Sequence, residues 1–175
     1  MWILETERLT LRRMEQRDYG DLAEILQDPD AMYAYAHAFG DAEVQSWLDR
    51  QLERYQTDGY GLWAVVLKET GEMIGQCGLT QQDWNGTSVL EIGYLIKMKF
   101  WHQGYAMEAA KGCKAYAFEK LGANEVCSII RDTNVASMNV AIRNGMLVRG
   151  RFIKHYYNMD MPHLVFSVKR DEYVR

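Results

Sequence analysis

The segment Leu90-Glu91-Ile92-Gly93-Tyr94-Leu95-Ile96-Lys97-Met98-Lys99-Phe100-Trp101-His102-Gln103-Gly104-Tyr105-Ala106-Met107-Glu108-Ala109 reads as a strand, a short polar and aromatic loop, and a glycine that opens a helix. A helix start leaves main-chain N–H groups unpaired and turns the positive end of its dipole toward one spot, which is the chemistry that holds a phosphate. Gly104 and Ala106 keep side chains clear, so a pyrophosphate can approach the backbone closely. An ordinary helix start with a tight turn has the same pattern. Further on, Asn134-Val135-Ala136-Ser137 opens another helix. Asn134 and Ser137 lie three apart on one face, from which both polar atoms can reach one ligand. The plainer alternative makes Asn134 an N-cap and Ser137 a surface residue. Histidine is the usual base near neutral pH, yet none of His37, His102, His155 and His163 sits in a pairing with Cys or Ser that signals covalent catalysis. Cys77, Cys113 and Cys127 lie far apart with no metal-ligand spacing, so they read as small core residues and no metal site is expected.

The elements that must position these residues show in the periodicity. Arg8-Leu9-Thr10-Leu11-Arg12 alternates with period two and predicts a strand with one buried face. Asp18 caps a helix to about Leu26, stopped by Asp28-Pro29-Asp30, and Asp41 caps a stronger one carrying Val44, Trp47, Leu48, Leu52 and Tyr55 and ended by Gly59. An antiparallel meander follows: Leu62 to Leu67, a Thr70-Gly71-Glu72 turn, Met73 to Thr80, an Asn85-Gly86 turn, and Val89 to Ile96. A helix from about Gly104 to Lys120 turns Ala106, Ala109, Ala110, Cys113, Ala117 and Leu121 inward. Val126 to Ile130 is a short strand, Asn134 to Asn144 a helix ended by Gly145, and strands follow at Leu147 to Ile153 and His163 to Val168. The order β-α-α-β-β-β-α-β-α-β-β implies a mixed sheet with helices packed on it.

At 175 residues the chain suits one domain, spanning 1–175. Hydrophobic residues at 48% and charged residues at 25% are ordinary globular values, which excludes disordered, collagenous and coiled-coil classes. No apolar run reaches the roughly 18 residues of a membrane span, and Met1-Trp2-Ile3-Leu4-Glu5 does not begin like a signal peptide, so a cytoplasmic protein without a membrane partner is expected. The net charge of −4 and a pI near 5.6 argue against a nucleic-acid partner and leave room for a cationic substrate. The chain also lacks GxGxxG after its first strand, which disfavours a dinucleotide-dependent oxidoreductase.

Taken together, Glu7-Arg8-Leu9-Thr10-Leu11-Arg12, the Gly71-Glu72-Met73-Ile74-Gly75-Gln76-Cys77-Gly78-Leu79 hairpin, Glu91-Ile92-Gly93-Tyr94, Gly104-Tyr105-Ala106-Met107-Glu108-Ala109 and Asn134-Val135-Ala136-Ser137 resemble the GNAT acetyltransferase superfamily, in particular the branch with the ribosomal-protein N-terminal alanine acetyltransferases. The resemblance covers nearly the whole chain. It implies an α/β (α+β) fold, with a mixed, mostly antiparallel sheet of about seven strands and about four helices packed on both faces. It also implies acetyl-CoA as co-substrate, no metal, an amine acceptor such as a peptide N-terminus or a small-molecule amine, and room for a homodimer.

The same resemblance places the coenzyme pyrophosphate at Trp101, His102, Gln103, Gly104, Tyr105, Ala106 and Met107, and the pantetheine arm against Leu95 and Ile96. It sets the thiol end beside Asn134 and Ser137. It puts the acceptor-binding loop at Tyr33-Ala34-Tyr35-Ala36-His37, where His37 is either an acceptor contact or an exposed loop histidine. The aromatics Tyr33, Tyr35, Phe39, Trp84 and Tyr157 either line the acceptor pocket, with Tyr35 and Trp84 as candidate substrate contacts, or simply pack. Two departures stand out. The usual Gln or Arg of the phosphate loop is Trp101, and the tyrosine that relatives use to protonate the leaving thiolate is Ala141. Ser137 becomes the donor to the departing sulfur by elimination, Glu91 the base acting through water, and strand N–H groups near Leu95 or Ile96 hold the oxyanion. The expected activity is direct acetyl transfer to a primary amine, perhaps a protein or peptide N-terminus. A catalytically idle acyl-CoA-binding module and a small-molecule amine acetyltransferase are the alternatives.

Overall fold

Leu62-Trp63-Ala64-Val65-Val66-Leu67 is buried along its whole length, so both faces of its sheet must be covered. Its odd-numbered residues Trp63, Val65 and Leu67 belong to one hydrophobic cluster, and Leu62, Ala64 and Val66 to another. A computed structural model, which describes residues 1–174, shows the arrangement. Eight strands form one sheet: β1 (Trp2–Glu5), β2 (Leu9–Arg12), β3 (Leu62–Leu67), β4 (Met73–Trp84), β5 (Thr87–Ile96), β6 (Glu125–Arg131), β7 (Leu147–Tyr156) and β8 (Met159–Lys169). Their spatial order is β1-β2-β3-β4-β5-β6-β8-β7, and every neighbouring pair is antiparallel except β5 with β6. The helices are α1 (Tyr19–Leu26), α2 (Asp41–Thr57), α3 (Tyr105–Glu119) and α4 (Val135–Arg143).

Helices α1 and α2 cover one face through Leu22, Leu26, Val44 and Leu48. Helix α3 covers the other with Ala109, Ala110, Cys113 and Ala117, joined by Ala141 of α4. Such small side chains let a helix lie close on the sheet, and Cys77 and Cys113 meet there with sulfurs 3.5 Å apart. All three cysteines are buried and free.

The mixed sheet, the four helices and their two-sided packing follow the sequence expectation, with differences that have physical causes. Strand β1 escapes a periodicity reading because it is a four-residue edge strand, only half-buried and interrupted by a register shift between Trp2 and Leu4. Gly40, not Asp41, is the N-cap of α2, and its N–H donates to Glu43 Oε2 at 2.9 Å. Asp18 precedes α1 but spends its carboxylate on Arg12, at 2.7 and 2.8 Å, instead of on the helix. Strands β7 and β8 run on to a turn at Tyr157-Asn158, where both residues have positive φ (47° and 58°). That is the two-residue hairpin conformation usually signalled by Asn-Gly, and Asn85-Gly86 supplies it in the β4–β5 hairpin, at 52° and 78°.

Candidate active site

Strands β5 and β6 pair at a single parallel position, Glu91 with Cys127, and then part. Two side chains hold the mouth of the gap. Ser128 Oγ donates to the Ile92 carbonyl at 2.9 Å, and the Ile129 N–H donates to Glu91 Oε2 at 3.2 Å. Past this point the edge of β5 lacks a strand partner among the described residues. The Ile92 carbonyl turns toward the gap, as does that of Ile96, which accepts from Trp101 Nε1 at 2.8 Å. By strand alternation the Tyr94 and Ile96 main-chain groups face the gap, while those of Leu95 face β4. Leu95 therefore lines the cavity without presenting its N–H, and Tyr94 takes the place expected for it.

Beyond β5 the chain is tethered by Lys97, whose buried ammonium reaches Asp21 at 2.6 Å and Glu24 at 2.9 Å. It then turns through Trp101 and His102, which has φ 60°, to Gly104, the left-handed N-cap of α3 at φ 81°. Among the described residues no acceptor faces the six successive main-chain N–H groups from His102 to Met107. A Cβ on Gly104 would meet only Arg8 Nη2, at 3.4 Å. This row of free donors at a helix start fits a pyrophosphate. The Trp101 indole is spent on Ile96, so it offers no phosphate contact. Arg8 stands in its place: its guanidinium donates to the Gln103 carbonyl at 3.0 Å, pairs with Glu108 at 2.7 Å and lies 4.4 Å over the Tyr105 ring. Sequence reasoning assigned Arg8 no role, since only the fold brings β2 beside the start of α3.

Across the gap, Asn134 is indeed the N-cap of α4. Its Oδ1 accepts from the Ser137 N–H at 3.2 Å and from the Tyr33 hydroxyl at 2.6 Å. Ser137 shares the cavity wall, and among the described residues its hydroxyl has no hydrogen-bond partner. The Tyr94 hydroxyl donates to the Ser137 carbonyl at 2.7 Å, tying β5 to α4. Burial pushes that phenol far above its ordinary pKa. Ala141 is 1% exposed and packs in the core.

The cavity that opens from the gap toward α2 and the β7–β8 hairpin has a volume of about 350 Å³. Glu91 lies in its wall. Burial pushes its carboxyl up to about 7 against the pull of Lys154, the Ile129 N–H and Arg54. Tyr35 lines the cavity as expected. His37 does not: it bonds Glu43 at 2.8 Å and packs 4.6 Å from Tyr157, closing the hairpin tip onto the α1–α2 loop from outside. Trp84 also lies elsewhere, against Gly150 of β7 at the far end of β4, because that strand runs four residues past Thr80. The residues that sequence reading missed are Arg50, Arg54, Gln76, Arg131 and Lys154, which come from four separate elements. No local spacing signals such a group.

The family model for the acetyltransferase (GNAT) domain matches residues 8–147. An uncharacterised protein of Bacillus subtilis (strain 168) is 36% identical over 144 residues, 82% of this chain and 84% of that protein. A GNAT-family acetyltransferase from Bacillus anthracis has a similar structure, with a TM-score of 0.83, 21% identity, and 98% and 99% of the two chains covered. The structure of a ribosomal L7/L12 alpha-N-protein acetyltransferase in complex with coenzyme A superposes with a TM-score of 0.77 at 16% identity, over 98% and 99% of the chains.

Proposed function

We propose that this chain, which belongs to the GNAT acetyltransferase family, moves an acetyl group from acetyl-CoA directly to a primary amine, with the α-amine of a peptide or protein N-terminus as acceptor. The observation that carries this reading is the gap between β5 and β6, which leads from the unpaired N–H groups of His102 to Met107 to the half-buried carboxyl of Glu91. Bound there, acetyl-CoA supplies an acetyl thioester. The N–H row and Arg8 hold its phosphates, and Ile96 with Tyr94 offers main-chain donors along the pantetheine arm.

Glu91 Oε1 accepts the proton of the attacking amine, through water where the amine is not in direct reach, and a carboxyl near pH 7 is well matched to that task. The Tyr94 N–H, turned into the gap, donates to the oxygen on which charge develops. The Ser137 hydroxyl donates to the departing sulfur. No covalent bond to the protein is needed.

The acceptor class follows from amine basicity. An α-amine with pKa near 8 is about a tenth neutral at pH 7, whereas a lysine near 10.4 is neutral only about 0.04% of the time. One carboxylate without a tyrosine acid on α4 suits the less basic amine. The similarity to the alpha-N-protein acetyltransferase leans the same way. The deciding experiment follows free coenzyme A release from acetyl-CoA with N-terminal peptides, lysine side chains and polyamines in competition at pH 7. Acetylation of the N-terminal amines first is expected. Preference for lysine or polyamine overturns the acceptor assignment, and release with none of them overturns the transferase reading.

A further inference from the structure

A chain with net charge −4 lines its acceptor cavity with four cations, Arg50, Arg54, Arg131 and Lys154, against one carboxylate, Glu91. None of the four is within ion-pair distance of a carboxylate among the described residues. The nearest partners are neutral: Arg54 donates to Gln51 Oε1 at 3.2 Å and Arg131 to the Ala34 carbonyl at 3.3 Å. Arg50 is exposed, whereas Arg54, Arg131 and Lys154 are half-buried, where a charge is usually paired. Two donors in the same wall go further. Gln76, 0% exposed, has its Oε1 engaged by Trp47 Nε1 at 3.0 Å, and among the described residues its Nε2 and the buried Arg131 Nε have no partner. A buried donor left unmet is costly, and an acceptor entering the cavity would offset that cost.

We propose that the acceptor is an amine that also carries an anionic oxygen group, which Gln76, Arg54, Arg131 and Lys154 bind while Glu91 faces the nitrogen. The inference rests on the transferase reading above and adds its substrate class. The anion has two sources: the α-carboxylate of a free amino acid, or an acidic side chain next to a peptide N-terminus. The four cations come from α2, β6 and β7, and this places the anion on the α2 side of the cavity, away from the free N–H groups at the start of α3. It also separates the two substrates. Cations meant for the coenzyme phosphates would be expected beside His102 to Met107.

The test uses the whole protein saturated with coenzyme A and calorimetric titration with alanyl-aspartate amide, alanyl-asparagine amide and alanyl-lysine amide, and with alanine against alaninamide. A carboxylate-bearing member of at least one set binding tenfold or more tighter than its neutral partner is the expected result, and the set that shows it identifies the source. Arg54→Gln and Lys154→Gln are each expected to erase most of that preference and to raise acceptor KM while leaving KM for acetyl-CoA unchanged. Equal binding of acidic and neutral acceptors overturns the proposal, as does tighter binding of the lysine dipeptide. So does an effect of Arg54→Gln on acetyl-CoA KM alone. Binding is read without turnover, so a protein that binds acidic amines but transfers nothing refutes the transferase reading and leaves the recognition intact. Efficient acetylation of neutral amines does the reverse.

Discussion

Glu91 combines two demands in one side chain: it accepts from Ile129 across the gap and sits in a wall dry enough to lift its pKa to about 7. The base proposed here works once deprotonated, so kcat/KM is expected to rise through pH 7. Glu91→Gln should move that rise toward the acceptor's own pKa more than it lowers the plateau. Unchanged pH dependence removes Glu91 from the chemistry. The same carboxyl bears on stability. Its folded pKa lies above the ordinary value of 4.5, so the folded state holds the extra proton between pH 4.5 and 7, and the stability this contributes is present at low pH and lost as pH rises through 7. Relative to wild type, Glu91→Gln should therefore gain about 3 kcal/mol between pH 4.5 and 8 by chemical denaturation. Ser137 and Tyr94 compete for the role of donor to the leaving sulfur, and their geometry separates them. The Ser137 hydroxyl is free, while that of Tyr94 is spent on the Ser137 carbonyl. Ser137→Ala is expected to lower kcat about tenfold with acetyl-CoA KM unchanged, the mark of a bond made mainly in the transition state. Tyr94→Phe should cost about 1 kcal/mol of stability and less of kcat. The opposite ranking would hand the role to Tyr94.

The parting of β5 and β6 and the start of α3 are where elements, not single residues, make the site. Ser128 is 2% exposed and its hydroxyl covers the Ile92 carbonyl at the point where strand pairing stops. Ser128→Ala leaves that carbonyl unmet and should lower stability by about 1–2 kcal/mol while widening the hydrogen exchange of β6. Exchange protection equal to wild type counts against a structural role at the fork. At α3, Gly104→Ala asks a side chain to adopt φ 81° and brings a methyl to 3.4 Å from Arg8. A cost near 1 kcal/mol in stability and at least tenfold in coenzyme A affinity is expected, and unchanged affinity by calorimetry would place the phosphates elsewhere. The periodic elements were legible because each buries one stripe: Ala109, Ala110, Cys113 and Ala117 announce α3, and Leu9 with Leu11 announces β2. Strand β1 was not, since two of its four residues face water and periodicity has too little to act on.

At the scale of the whole molecule, ligand binding and folding are linked. Coenzyme A at a hundred times its Kd should add about 2.7 kcal/mol of stability and raise Tm by roughly 5–10 °C in a chain of this size. No shift with coenzyme A present, in a protein that unfolds cooperatively, would refute the site. The sequence by itself determined the fold class and pointed to the start of α3 as the candidate phosphate site and to Asn134, Ser137 and Glu91 as candidates for the chemistry, because the signals behind these readings are local: a glycine before a helix, polar residues on its first turn, alternation along a strand. Net acidity left room for a cationic substrate, and the side chains that line the cavity were not visible at that level. Arg50, Arg54, Gln76, Arg131 and Lys154 are up to 104 positions apart in the chain and converge only when α2, β4, β6 and β7 pack. The same packing set Trp84 against Gly150 and His37 against Glu43, outside the cavity where they were candidate substrate contacts. Charge and burial at a site sum over neighbours in space, and a one-dimensional reading cannot see which distant side chains the fold will set beside one another.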